Sequence, residues 1–247
     1  MQRHITRRAI ILAWVFIKEQ AKEPSTFFWT LLSPAALFYL LAYSRGQTPP
    51  YQSSYGELTS WFYAYISSSV AFFGFSFYII GRRESGFTRS FIYRFEARCI
   101  FLLAQFFAYS IIALAYCLIF YGLTRPAFGP VLLSEVFIIM GRFYVCFLLF
   151  SIPGLLLTLP PLTFQNANTG YSIISFIMLV FGIYDMNTSS TEVDFHQIFN
   201  PLWLANRIIY HGLENNCMLA LCTAALFVGI FLLTLRYLRV NPVWSRY

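Results

Sequence analysis

Long apolar runs separated by short polar segments dominate the pattern of this chain. A membrane-spanning helix needs about 20 mostly apolar residues. Six runs approach or exceed that length, at about 27–43, 61–80, 99–123, 132–159, 170–184 and 217–238. The pattern therefore predicts an all-α integral membrane fold, with six transmembrane helices in one domain that covers residues 1–247.

A shorter apolar run lies near the N-terminus. The run from Ala9 to Ile17 follows Arg7 and Arg8 and ends in the polar segment 18–22. It is too short to span a bilayer, and no small-residue cleavage site of a signal peptide follows it. We therefore expect residues 7–22 to form an interfacial helix that lies along the membrane surface and contacts lipid.

The composition agrees with a membrane protein. Hydrophobic residues make up 58% of the 247 residues and charged residues 11%, whereas a soluble domain carries about 25% charged residues. The net charge of +7 does not indicate a nucleic-acid partner, because basic residues that flank spans on the cytoplasmic side explain it.

The basic residues are distributed unevenly along this pattern. Of the 17 Lys and Arg residues, five precede residue 23, five lie between residues 81 and 98, and three follow residue 235. Six spans place these three groups on one face, and only Arg45, Arg125 and Arg207 on the other. Basic residues concentrate on the cytoplasmic side, so we expect both termini and the 81–98 segment to be cytoplasmic.

The sequence lacks the residue patterns of several kinds of chemistry. Neither lysine, Lys18 or Lys22, follows a glycine, so the G-x-x-x-x-G-K-[ST] loop that cradles phosphate is excluded. The three histidines and five cysteines lack metal-ligand spacing, and no nucleophile motif lies beside a span. We therefore predict no catalytic residues, no metal site and no cofactor bound by this chain. A transporter of this kind would draw energy from an ion gradient or from a separate ATPase.

The most polar segment, residues 81–98, carries a second pattern. Phe87, Phe91, Ile92 and Phe95 recur at helical spacing and predict one apolar stripe with charged neighbours. A short amphipathic helix continued into two spans would bind a groove of a partner and transmit its movement to the membrane helices. The alternative is a basic surface loop that binds anionic lipid.

Three segments resemble a known family, the ABC-2-type (type V) ABC transporter permeases. The polar turn and coupling helix of that family are similar to residues 83–89, with the sequence R-E-S-G-F-T-R. Its amphipathic connector helix is similar to the segment from Phe16 to Pro24, and its external N-P-L element to the segment from Asn200 to Arg207. The order of connector helix, six spans, coupling helix and short external helices before the last span extends the resemblance over nearly the whole chain.

The resemblance implies that the chain is the membrane subunit of an ATP-driven exporter in the cell inner (plasma) membrane. Its partners would be two copies of a cytoplasmic ABC ATPase, which bind the ATP and Mg, and a second copy of the chain or a related permease. The cargo would be a drug, a peptide, a lipid or a lipid-linked glycan. The residues expected to couple the chain to the ATPase are Arg82, Arg83, Glu84, Ser85, Gly86, Phe87, Thr88, Arg89 and Phe91.

Two charged residues and one turn are candidates for the opposite side of the membrane. Glu135 and Arg142 are seven residues apart, nearly on one helix face. They form either a charged pair that lines the pathway or an external gate, or they belong to the outer interface before a span that begins near Phe143. Asn200 and Pro201 are either the external element of the family or an ordinary turn before an interfacial helix.

Two other classes of function remain open from the sequence. A gradient-driven transporter or channel without an ATPase would need Glu135 and Arg142 at mid-membrane. A subunit of a membrane assembly or of a membrane enzyme would have a partner other than an ATPase.

Overall fold

The structure is a computed structural model of the chain, and the regular secondary structure of the residues that it describes is helical. These are residues 2–44, 46, 48–51, 54–92, 94–187 and 200–240, and the side chains considered are those within 5–182 and 200–240. The helices are α1 (Gln2–Gln20), α2 (Pro24–Ser44), α3 (Tyr55–Glu84), α4 (Phe87–Phe91), α5 (Phe95–Ala127), α6 (Leu133–Leu156), α7 (Phe164–Asn187), α8 (Pro201–His211) and α9 (Cys217–Tyr237).

Five of these helices are long and apolar enough to cross a bilayer, namely α2, α3, α5, α6 and α9. An all-helical, multi-pass membrane protein is therefore confirmed for the described part of the chain. The predicted span at 170–184 lies inside α7, a helix of 24 residues that is not among the five. A sixth crossing stays a prediction.

The helix bounds differ from the predicted ones mainly at polar residues. α1 extends from Gln2 to Gln20 rather than from residue 7 to 22. α3 continues through the polar residues 81–84, beyond the predicted end of the span at residue 80, and α5 begins at Phe95 rather than at residue 99. In the extension of α3, Arg82 contacts α1 and Arg83 contacts the segment after α6, so a fall in hydropathy does not end the helix.

The first spanning helix, α2, contains a wider π-helical turn over Phe28–Leu32. Pro34 follows it and has no backbone N–H to donate to the carbonyl four residues earlier. The Ser33 N–H instead donates to the Phe28 carbonyl oxygen, five residues earlier. The π-helical turn thus lets the helix continue past Pro34 instead of breaking there.

A second π-helical stretch, Val70–Ser76, lies in the middle of α3. Gly74 in this stretch is in close contact with α5, because a Cβ atom there would lie 2.5 Å from Cε1 of Tyr109. The Tyr109 hydroxyl donates to Oε1 of Gln20, the last residue of α1, at 2.7 Å. The glycine therefore allows α3, α5 and α1 to meet.

Side-chain contacts group the helix ends at two opposite ends of the molecule. At one, which we call the turn end, Arg83 contacts the segment after α6 and Thr88 contacts Val240 after α9. At the other, which we call the loop end, Tyr55 at the start of α3 bonds to Thr124 near the end of α5. Aromatic residues fill the core between the two ends, among them the buried Tyr63, Phe72, Phe75, Phe120, Phe143, Phe147 and Phe150.

Candidate functional site

The turn between α3 and α5 is built around Gly86. Gly86 has a φ of +78°, a left-handed conformation that glycine adopts without steric cost and that commonly ends a helix. In α4, which follows, Thr88 is buried and its Oγ1 donates to the Val240 carbonyl oxygen at 2.7 Å. The turn is therefore joined directly to the segment after α9.

Arg83, in the last turn of α3, is buried inside the protein with 2% of its side chain exposed. Its Nη1 donates to the carbonyl oxygens of Thr158 at 3.0 Å and Pro160 at 3.3 Å. Its Nη2 donates to the carbonyl oxygen of Leu162 at 2.5 Å, and its Nε to Oε1 of Glu84 at 3.2 Å. Arg83 is thus inaccessible to a partner in this conformation, and any part it has in coupling is indirect.

Arg82 connects the turn to the N-terminal helix. Its Nη2 lies 2.6 Å from Oε2 of Glu19 in α1. Its guanidinium carbon lies 4.0 Å from the ring centroid of Phe16 and 5.4 Å from that of Phe87, a geometry that attracts a cation to an aromatic face. A displacement of α4 would therefore be transmitted to α1 through the Arg82 side chain.

Glu23, between α1 and α2, is a polar junction that the sequence did not single out. Its Oε2 accepts hydrogen bonds from the Tyr78 hydroxyl and, at 3.2 Å, from the Thr26 hydroxyl. Glu23 also borders a cleft of about 750 Å³ between α2 and α3, which Glu19 and Arg82 border as well. The connection between α1, α2 and α3 is therefore polar, in contrast to the apolar core.

The surface of the turn is partly apolar and partly basic. Phe91 is 69% exposed and Phe95 62% exposed, whereas Phe87 is half-buried and Ile92 is buried. The single apolar stripe predicted from the spacing is therefore wrong, because α4 ends at Phe91 and Ile92 turns into the core. We define the turn surface as the exposed residues Ser85, Arg89, Ser90, Phe91, Arg94 and Phe95.

At the loop end, Glu135 lies in the first turn of α6 and pairs with a residue from the preceding helix. Its Oε2 accepts from Nε of Arg125 at 2.7 Å and from the Tyr121 hydroxyl at 2.9 Å. No ion pair forms between Glu135 and Arg142. The proposed pairing of these two charges is therefore wrong for this conformation, although both line the same cavity.

That loop-end cavity has a volume of about 610 Å³. Two of its lining residues, Tyr55 and Tyr63, belong to a chain of buried hydroxyls. The Tyr55 hydroxyl lies 2.7 Å from that of Tyr63 and 2.8 Å from Oγ1 of Thr124. Arg125 lies over the ring of Tyr55, with its guanidinium carbon 5.6 Å from the centroid. The cavity thus combines aromatic and hydrogen-bonding surface.

Arg142 enters the wall of this cavity from α6. Its Nη1 donates to the carbonyl oxygen of Ile209, in the last turn of α8, at 2.8 Å. A Cβ atom at Gly212 would lie 2.7 Å from Nη2 of Arg142, and Gly212 has a φ of +86°. A glycine is therefore required where the chain leaves α8 and passes over the guanidinium group.

Asn200 and Pro201 begin α8, the short helix that precedes the last span. The Asn200 side chain accepts from the Leu202 N–H at 3.0 Å, and its Nδ2 donates to the Met178 carbonyl oxygen at 3.2 Å. Pro201 occupies the first helical position, where it loses no hydrogen bond. This turn caps α8 and joins it to α7, while residues 188–199 lie outside the described part of the chain.

The structure adds residues that sequence patterns did not indicate. Glu19 and Arg125 pair with the candidate residues Arg82 and Glu135. Glu23 bonds to Tyr78, and Tyr55 lies beside Arg125 in the cavity wall. Only Arg125 carried a signal, since it and Glu135 flank a short Pro- and Gly-containing connection. Within the described residues no group of three or more His, Cys, Asp or Glu side chains is placed to hold a metal ion.

Comparison with known proteins gives one relative of nearly the same length. The chain is 28% identical to Protein McbE of Escherichia coli over 237 residues, which cover 95% of this chain and 97% of that protein. No protein-family model matches the chain, and no solved structure matches it. The chain is therefore similar to McbE from end to end.

Proposed function

We propose that this chain is the membrane-spanning subunit of an ATP-driven exporter, whose energy comes from a separate nucleotide-binding subunit. The observation that carries the proposal is the turn surface, where two large apolar side chains stand exposed beside two arginines. An exposed Phe pair within a basic surface is a pattern that partner proteins recognise. The resemblance of residues 83–89 to a coupling helix concerns the same turn.

The contacts behind the turn surface support a mechanical role. Arg83 binds the segment between α6 and α7, Thr88 binds the segment after α9, and Arg82 binds α1. A partner that moved α4 would therefore act on the ends of several helices at once. A surface loop that merely bound lipid would have no need for these internal contacts.

The exporter has six spans with α7 as the fifth, both termini in the cytoplasm, and a position in the inner (plasma) membrane. Two permease chains, identical or related, bind two ATPase subunits, which carry ATP and Mg. The cargo is a drug, a peptide, a lipid or a lipid-linked glycan, and this chain performs no covalent chemistry.

The position of Glu135 argues against the gradient-driven alternative. Such a mechanism uses ionisable groups that change their charge near the middle of the membrane. Glu135 lies in the first turn of α6 and is neutralised by Arg125 at 2.7 Å. It is therefore placed as part of a structural ion pair at the loop end.

The proposal is tested by purifying the chain from its native membrane and measuring ATPase activity in the complex. Phe91→Ala removes an exposed apolar contact without disturbing the core. We expect at least about tenfold weaker association with the nucleotide-binding chain, the size of a substantial hot-spot loss. Cargo-dependent ATPase activity should fall with it.

Phe137→Ala is the matched control for this experiment. Phe137 is 72% exposed like Phe91 but lies on α6, near the loop end, so its truncation should leave the association unchanged. A purified chain that transports without any nucleotide-binding companion would overturn the proposal. So would equal effects of the two Phe→Ala substitutions.

A further inference from the structure

The loop-end cavity contains a cation without a carboxylate partner. Of the charged residues in its wall, Arg125 and Glu135 neutralise each other at 2.7 Å. Arg142 has no carboxylate within ion-pair distance among the described residues. The wall as described therefore carries one net positive charge.

The guanidinium of Arg142 is held in place without being saturated. One of its five N–H donors is used, by the Ile209 carbonyl oxygen at 2.8 Å. The others have no protein acceptor among the described residues. Gly212 passes close over Nη2, where a side chain would be excluded, so the group is both positioned and left with free donors.

Arg142 lies about two and a half turns into α6, which is one of the candidate membrane spans. Nine residues separate it from Leu133 at the start of α6, which corresponds to roughly 13 Å along a helix that rises 1.5 Å per residue. Charged groups inside a spanning helix are costly and usually mark a functional site. The hydrocarbon-facing side of a spanning helix would not retain one without a compensating partner.

We infer that the loop-end cavity binds an amphipathic molecule through an anionic group, a carboxylate or a phosphate, which pairs with Arg142. A guanidinium forms two parallel hydrogen bonds with either anion, and no other charge in the described wall is free to do so. The tyrosines beside it, Tyr55 and Tyr210, provide flat aromatic surface for the remainder of the molecule. A volume of about 610 Å³ suits a lipid headgroup or the end of a short peptide.

This inference rests on the proposed function for its meaning, since the ligand would be cargo or a lipid at the far end of the transport path. Its test does not depend on an ATPase. Binding is measured with the full chain alone in phospholipid nanodiscs, so a failed association test and a failed binding test are distinguishable.

The first arm uses N-acetyl-tyrosine, which carries a carboxylate, and N-acetyl-tyrosinamide, which does not, in nanodiscs of phosphatidylcholine. Concentration-dependent thermal stabilisation gives the dissociation constant of each. We expect the acid to bind roughly tenfold or more tightly than the amide, the contribution of a charge-assisted pair. Arg142→Gln should abolish this preference, and Arg142→Lys should keep part of it.

The second arm compares retention of phosphatidylglycerol with that of phosphatidylcholine, measured by native mass spectrometry of the same chain. Arg207→Gln is the matched control, because Arg207 precedes Ile209 on α8 but contacts Trp203 and does not line the cavity. Preference for the acid assigns the anion to a carboxylate ligand, and Arg142-dependent retention of phosphatidylglycerol assigns it to a lipid phosphate.

Two results would overturn the inference. One is a wild-type chain that shows neither preference for the acid nor preference for phosphatidylglycerol, a measurement that needs no variant to fold. The other is equal behaviour of Arg142→Gln and Arg207→Gln, which would indicate a general effect of positive charge rather than a site.

Discussion

Replacing Arg83 by methionine tests whether the buried guanidinium holds the turn to the segment between α6 and α7. The side chain makes three hydrogen bonds to backbone carbonyl oxygens and one to Glu84. A hydrogen bond to a charged group contributes about 1.5–3 kcal/mol. Removing one partner from a buried charged network costs about 3–5 kcal/mol, because the remaining polar groups lose their compensation. Methionine retains the apolar stem volume, so the loss comes from the hydrogen bonds rather than from a cavity.

The measurement is thermal unfolding of the purified chain in detergent, followed by tryptophan fluorescence. For chains of this size, 1 kcal/mol corresponds to about 2–4 °C in Tm, so Arg83→Met should lower Tm by on the order of 10 °C. Arg83→Lys should have an intermediate effect, since one ammonium group replaces the planar fork that reaches several carbonyls. Arg89→Met is the control, because Arg89 is exposed on the same turn and should change stability by less than about 0.5 kcal/mol.

A Tm for Arg83→Met within about 2 °C of the wild type would refute this reasoning. It would mean that the three carbonyl contacts contribute nothing net, and that the turn is attached by Thr88 and by apolar packing alone. An equal loss of stability in Arg89→Met would also contradict this explanation. It would show that the loss of a positive charge, and not the loss of buried hydrogen bonds, lowers the stability.

Two further substitutions test contacts elsewhere. Gly74→Ala should cost about 1–3 kcal/mol, because its methyl group would displace the rigid ring of Tyr109, whereas Gly122→Ala, with open space around it, should be neutral or stabilising in the same unfolding assay. Asn200→Ala should cost about 1–2 kcal/mol through loss of the α8 cap and of the bond to α7, while Asn215→Ala, at an exposed position, should cost less; equal losses would show that the cap is unimportant.

The sequence predicted the helices of this fold better than it predicted their ends. A run of about 20 apolar residues predicts a membrane helix, because few other structures satisfy the backbone hydrogen bonds inside a bilayer. The end of α3 depended instead on Gly86, whose positive φ stops the helix. Residues 81–84 carry the polar composition of a loop, and only tertiary contacts of Arg82 and Arg83 explain why they stay helical.

The orientation of neighbouring polar residues could not be obtained from the pattern. Successive residues of a helix point about 100° apart, so one of Arg82 and Arg83 was bound to differ in environment from the other. Arg83 points inward because carbonyl oxygens of the segment between α6 and α7 accept its hydrogen bonds there. Those carbonyls lie more than seventy residues away in sequence and leave no trace in the local pattern.

The ion pair considered between Glu135 and Arg142 is absent for a related reason. Residues seven apart share a helix face but are separated by about 10 Å along the axis, which is too far for an ion pair. Glu135 instead forms an ion pair with Arg125, which lies ten residues earlier and on a different helix. Arg142 was correctly singled out as an unusual charge, yet its neighbours, Ile209 and Gly212, come from a connection whose path only the fold determines.

The wide π-helical stretch in α3 has a consequence for how the length of this chain can vary. A π-helical turn holds one residue more than an α-helical turn, so deleting a single residue between Val70 and Ser76 can convert the stretch to α-helix. The flanking halves of α3 would then keep their relative orientation, with Arg82 and Arg83 still directed to their present partners. Elsewhere in α3, a deletion would rotate everything after it by about 100°. This stretch is therefore the position in α3 where relatives can differ in length by one residue with the least change in structure.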